Sequence, residues 1–167
     1  KTVGAAQIIC QSTGELTPGS YRLDFDDRRV SHLVLHKVGA QGHVRIFKNA
    51  WFERFARKQK IQDGMLREAI RRAEQGLIDA DLGGGAIKQR VARPGQGRSG
   101  GYRTLILYRQ RHRAFFVYGF AKSQQANVSD EEVGAFKKAA QHVLEMTDEQ
   151  LSALIQNGQF SEVEHDG

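Results

Sequence analysis

From Leu82 to Lys122 the chain carries nine Lys or Arg residues and no Asp or Glu. They are Lys88, Arg90, Arg93, Arg98, Arg103, Arg109, Arg111, Arg113 and Lys122. Evenly scattered surface lysines would not make this stretch so one-sided. Its local pattern is that of strands. Ile87 to Ala92 alternates, with Lys88 and Arg90 on one face and Ile87, Gln89 and Val91 on the other. Tyr102 to Tyr108 and Arg113 to Phe120 read as two more strands, joined by the polar turn Arg109 to His112. The next stretch reverses sign: Ser123 to Gly167 holds nine acids against two bases, Lys137 and Lys138. The net charge of +6 therefore hides a concentrated positive field in mid-chain. Such a field attracts phosphates and speeds encounter with nucleic acid.

The bulk properties narrow the class. With 167 residues, 40% of them hydrophobic and 26% charged, the chain can bury a real core as one soluble domain with an appendage. The sequence pI of about 9.7 favours a polyanionic partner. Cys10 is the only cysteine, which excludes an internal disulfide and a multi-cysteine zinc site. That usage fits a reducing cytoplasm. The longest apolar runs, such as Ala114 to Phe120, are far short of a membrane span. The first residues lack the apolar core of a signal peptide. A cytoplasmic protein with no membrane partner is the expectation.

Residues 1 to 43 differ from the rest. They hold the cysteine, the short apolar runs Gln7–Cys10 and His32–Val38, and a Thr17-Pro18-Gly19-Ser20 turn. A hairpin around Tyr21 to Asp27 is possible, but no chemistry is visible, and the segment reads as an N-terminal extension. An organised domain is expected over residues 44 to 160, with a tail from 161 to 167. Val44 to Phe47 opens it as a strand, and Asn49 caps a helix with Trp51, Phe52 and Phe55 on one face. These aromatics read as packing residues. Arg54, Arg57, Lys58 and Lys60 form either a solvated helix end or an RNA-binding surface. Asp63 is expected to cap a second helix, with Met65, Leu66, Ala69, Ile70 and Ala73 at helical spacing and Gly76 as its stop. Gly83-Gly84-Gly85 reads as a turn and Arg93 to Gly101 as a glycine-rich loop. Ser129 with Glu132 and Thr147 with Gln150 are capping boxes that open two helices, to about Met146 and Ile155. The order indicates an α+β fold: a small antiparallel sheet packed with N-terminal and C-terminal helices.

The chemistry is concentrated between Lys88 and Arg103. Its glycines let a backbone approach a ligand and expose N–H groups. Its arginines supply planar, bidentate phosphate donors, and Tyr102 could stack on an unpaired base. No Gly-Lys-Ser/Thr ends the run, so it is not a Walker loop. Phosphate contact and a merely solvated basic loop are the two readings that chemistry alone leaves open.

Ile87 to Arg103, with its Arg-Val-Ala-Arg and Arg-Ser-Gly-Gly-Tyr-Arg pieces, resembles the centre of RelE/HigB-type toxins of bacterial toxin–antitoxin modules. Phe116 to Ser123 resembles that family's last core strand and its lysine-bearing end. The likeness spans about Val44 to Met146. It implies a small antiparallel sheet flanked by helices and an endoribonuclease that cuts mRNA in the ribosomal A site. It also implies inhibition by a cognate antitoxin, often a helix-turn-helix protein. No metal or other cofactor is implied. The reaction would be attack of a ribose 2′-OH on its own 3′-phosphate, leaving a 2′,3′-cyclic phosphate and a 5′-OH.

Fixed cations stabilise the extra charge of a pentavalent phosphoryl transition state more than the ground state. On that reading Arg90, Arg93 and Arg103 orient and neutralise the phosphate. Lys88 or Lys122 moves a proton, since arginine stays charged and is a poor base. Arg98, Tyr102, Arg109, Arg111 and Arg113 are the candidate RNA contacts. Many relatives place a Tyr, His or Asp near the domain's end for proton transfer, whereas no tyrosine follows Tyr118 here. His142 and His165 read as surface residues, and His112 lies within the turn cluster. Two rivals stand beside this reading: a ParE-like inhibitor of DNA gyrase that cleaves nothing, and a noncatalytic nucleic-acid-binding module.

Overall fold

The computed structural model describes residues 43–95, 97–125 and 127–164. The expected extension over residues 1–43, apart from His43, and residues 165–167 lie outside them. The chain runs β1 (Arg45–Asn49), α1 (Ala50–Lys58), α2 (Asp63–Glu74), β2 (Ala80–Gly83), β3 (Ala86–Arg93), β4 (Gly97–Arg109) and β5 (Arg113–Ala121). It then forms α3 (Asp130–Val143), α4 (Asp148–Gln156) and β6 (Phe160–Glu162). The strands make one six-stranded sheet in the order β2-β3-β4-β5-β1-β6.

Strand alternation sorts the apolar residues into two cores, one on each face of the sheet. On one face Ile87, Val91, Ile106 and Phe116 pack against Phe52 of α1 and Leu66, Ala69, Ile70 and Ala73 of α2. On the other Leu105, Leu107, Phe115 and Val117 pack against Phe136, Ala140 and Val143 of α3 and Leu151 of α4. Strand β5 lies between β4 and β1 and is buried from Arg113 to Phe120. A strand covered on both faces needs the continuous apolar run that this one has.

The α+β class is as expected, but the sheet is mixed rather than wholly antiparallel. Strand β1 runs parallel to β5, with Ile46 opposite Ala114. Two helices and three strands separate the pair, so its direction is set by tertiary packing. The glycine-rich loop is shorter than expected. Gly97 already pairs with Arg93, leaving a turn at Pro94 and Gly95, where Gly95 takes φ +78°. Ser161 and Glu162, expected in a tail, belong to β6 and pair with β1. The short edge strands β2 and β6 carry too few residues to show a periodicity. Asp63 is not a cap: Gln62 takes that position without a side-chain bond. The Asp63 carboxylate instead receives the Lys48 ammonium at 3.0 Å, and an acid in the first turn suits the positive end of the helix.

Both expected capping boxes form, at Ser129/Glu132 and Thr147/Gln150. Asn49 does more than cap α1. Its Oδ1 accepts from the Phe52 N–H at 2.7 Å, while its Nδ2 donates to the Val117 carbonyl at 3.1 Å. One buried amide thus ties the start of α1 to the central strand. Asn49→Ala is expected to lower the unfolding free energy by about 1–3 kcal/mol, from a lost cap and an orphaned buried carbonyl. Urea unfolding followed by circular dichroism measures this, and an unchanged midpoint would refute the bridging role.

Candidate nucleic-acid interface

Register brings three of the five expected catalytic residues to one patch. Arg90 of β3 lies directly across from Arg103 of β4, and Lys88 is two residues along the same strand opposite Leu105. Alternation puts all three on the face of the sheet that carries α3 and α4. Phe120 of β5 is the next neighbour of Arg103 across the sheet. Like charges directly opposite each other destabilise a sheet. Here neighbouring groups hold them. The Asp79 carboxylate accepts from the Arg90 N–H at 2.7 Å and stands 4.0 Å from the Arg90 guanidinium. The Lys88 ammonium donates to Asn127 Oδ1 at 2.8 Å.

Beneath this patch Gln89 is fully buried. Its Nε2 donates to the carbonyls of Ala69 at 3.2 Å and Leu77 at 3.0 Å. Its Oε1 accepts from the Asp79 N–H at 3.0 Å. The amide therefore anchors β3 on α2 and fixes the backbone of the acid that braces Arg90. Sequence reading missed Asp79, Gln89 and Asn127 as supports. The one available signal was that Asp79 and Asp81 stand just upstream of the acid-free run.

Arg93 and Lys122 are gathered elsewhere, around an open pocket of about 460 Å3 at the end of the β4–β5 pair, with Gly101 and Ala121 in its wall. Arg93 also places its guanidinium over the Tyr102 ring, 5.7 Å from the centroid. Tyr102 itself is only 3% exposed, donates its hydroxyl to Gln59 at 2.7 Å and meets Phe55 edge-on. It packs as a core residue, with no open face for the base that was expected to stack on it. The side chain of Arg98 lies outside the described residues.

The turn cluster is divided in the same way. Arg113 is 5% exposed, and its guanidinium donates to Asp148 at 2.6 Å and to the Met146 carbonyl. That is a structural tie between β5 and the start of α4 rather than a free RNA contact. Arg109 is exposed and paired with Glu145. Arg111 is exposed at the tip of the turn, where it takes φ +57°. Burial, then Arg113 and Arg109, push the His112 imidazole below its usual pKa, which favours its neutral form. His142 is exposed on α3 and His165 lies outside the described residues. Burial and Glu132 raise the Tyr118 phenol, which keeps its proton and donates to Gln125 at 3.2 Å. Among the described residues no cluster of three or more His, Cys, Asp or Glu is placed to hold a metal, and no helix is long and apolar enough to cross a membrane.

The difference between Arg113 and Arg109 is measurable. Arg113→Ala should cost about 1–3 kcal/mol by removing a buried side chain and leaving the part-buried Met146 carbonyl unpaired, whereas Arg109→Ala should cost under about 1 kcal/mol as a surface pair. Equal melting temperatures for the two variants would contradict this division.

A scan against protein families matches residues 44–163 to the family described as the RelE toxin of the RelE / RelB toxin-antitoxin system. Searches of curated proteins and of solved structures return no match.

Proposed function

The chain belongs to the RelE toxin family, and we propose that it is a ribosome-dependent mRNA endonuclease whose reaction centre is the Lys88–Arg90–Arg103 patch. The family makes it the toxin of a toxin–antitoxin pair, with an antitoxin as partner. Members are generally endoribonucleases, which supports the finer reading. The observation that carries it is the cross-strand opposition of Arg90 and Arg103 with Lys88 beside them. A phosphodiester laid across that patch relieves the repulsion between two arginines held face to face across the strands, of which Arg90 has Asp79 beside it.

In the reaction the 2′-oxygen bonds to phosphorus, the bond from phosphorus to the 5′-oxygen breaks, and the 2′-proton leaves to a base while the 5′-oxygen gains one. Arg90 and Arg103 neutralise the phosphoryl oxygens as their charge grows. Lys88, held in place through Asn127, is the nearest candidate for moving a proton. Arg93 and Lys122, off the patch at the strand end, hold a flanking phosphate. Two requirements oppose each other here: charge density stabilises the transition state yet weakens the sheet. Gln89 and Asp79 reconcile them by fixing the backbone from below.

Cuts in a reporter mRNA that appear by primer extension only with translating ribosomes are the expected result. Arg90→Ala and Arg103→Ala should each slow cutting by about a hundredfold or more and relieve growth inhibition, with unchanged circular dichroism. Full toxicity in both variants would remove the assignment. Normal translation with no cuts by the parent chain would end the cleavage reading.

A further inference from the structure

A second groove, of about 440 Å3, lies between α1 and the end of β5. Its wall is aromatic. The Trp51 ring lies nearly parallel to that of Phe55, 5.4 Å away at 11°, and 4.7 Å from the ring of Tyr118. Gly119 lets α1 come this close, because a Cβ there would stand 2.6 Å from the Phe55 ring. Trp51 and Phe55 are only partly buried, so the packing that sequence analysis foresaw leaves part of this aromatic surface open. The rim is of a different character. Arg54 and Lys58, one helical turn apart on α1, are exposed on one side, and the amides of Gln124 and Gln125 line the other. Among the described residues no Asp or Glu lines the groove.

Each part suits a different piece of a nucleotide. Flat aromatic rings stack on a base whatever its identity. Side-chain amides donate to and accept from base edges. Guanidinium and ammonium groups hold phosphate. An acidic peptide would use the cations but gain little from the ring surface. α1 packs on the face of the sheet opposite the cationic patch, and a strand would pass from one to the other around the end of β5. Phe120, in its wall, is the sheet neighbour of Arg103, and Gln124 and Gln125 follow Lys122 within the same turn.

We propose that this groove receives an unpaired base of the RNA strand whose phosphate lies on the Lys88–Arg90–Arg103 patch. The assignment rests on the RNA-cleavage reading and adds a base-binding subsite to it. Arg54 and Lys58 then belong to the RNA surface, which decides between the two roles their sequence left open.

Trp51 is the only tryptophan of the chain, so its emission reports on the groove directly. The probe is a 2′-O-methyl oligoadenylate of six residues, which cannot undergo 2′-oxygen attack, titrated into the full chain at low salt. Binding is followed by Trp51 emission and, in parallel, by anisotropy of a 5′-labelled strand. Saturable quenching with the same midpoint as the anisotropy is expected. An abasic strand of equal length should bind about tenfold or more weakly and leave the emission unchanged, the size of effect that base–aromatic stacking supplies. The double variant Arg54→Glu, Lys58→Glu changes exposed positions only and should raise the midpoint about tenfold or more, since it reverses two phosphate contacts. Binding without quenching, equal binding of the abasic strand, or no binding would each overturn the groove assignment. If translation-dependent cuts persist in that case, only the groove is lost. Quenching in a protein that makes no such cuts overturns the cleavage reading and leaves the groove.

Discussion

The site depends on one buried amide. Gln89 sits at the centre of the cationic strand, pointing away from its neighbours Lys88 and Arg90 into the packing against α2. Its three hydrogen bonds satisfy both ends of the side chain in an apolar setting, where an unmet bond would cost far more than it does in water. The Thr104 hydroxyl donates to the Gln89 carbonyl and extends the anchorage to β4. The backbone under the patch is thus held at several points before any ligand arrives. Catalysis by fixed charges needs that rigidity, because a cation that must reorganise during the reaction stabilises little.

The same logic explains why the charge is distributed as it is. Cations that pair with acids of other elements, such as Arg113 with Asp148 and, at the surface, Arg45 with Glu162, lie near the α4 end of the sheet and link elements together. Lys88, Arg90 and Arg103 lie toward the other end of their strands, near the loop that precedes α3. The acidic C-terminal stretch supplies several partners for structural arginines: Glu145, Asp148 and Glu162. Its acids also occupy the first turns of α3 and α4, where they complement the helix dipoles. Sign reversal along the chain therefore serves folding at one end of the sheet and leaves the other end cationic.

Much of this was legible locally. The alternation of β3, the two capping boxes, the Asn49 cap and the Gly76 stop are all written within a few residues, and each formed. What sequence could not show was which face a side chain of ambiguous character would choose. Tyr102 reads as a platform for a base, and the approach of Phe55 and Gln59 makes it core instead. Arg113 looks like its exposed neighbours until α4 folds back to supply Asp148. The three cations of the patch were readable together because strand pairing preserves the alternation. Their supports, Asp79 and Asn127, come from loops whose placement only tertiary contacts determine.

The position of β1 has a consequence for how the molecule comes into being. It is the first strand of the sheet to be made, yet both of its neighbours, β5 and β6, come from the second half of the sequence. Long-range pairings of this kind make folding slow, because distant ends must meet before any contact rewards the meeting. During synthesis Ile46 and Phe47 lack their strand partners until β5 and β6 have been made. Such an interval favours aggregation or capture by another protein.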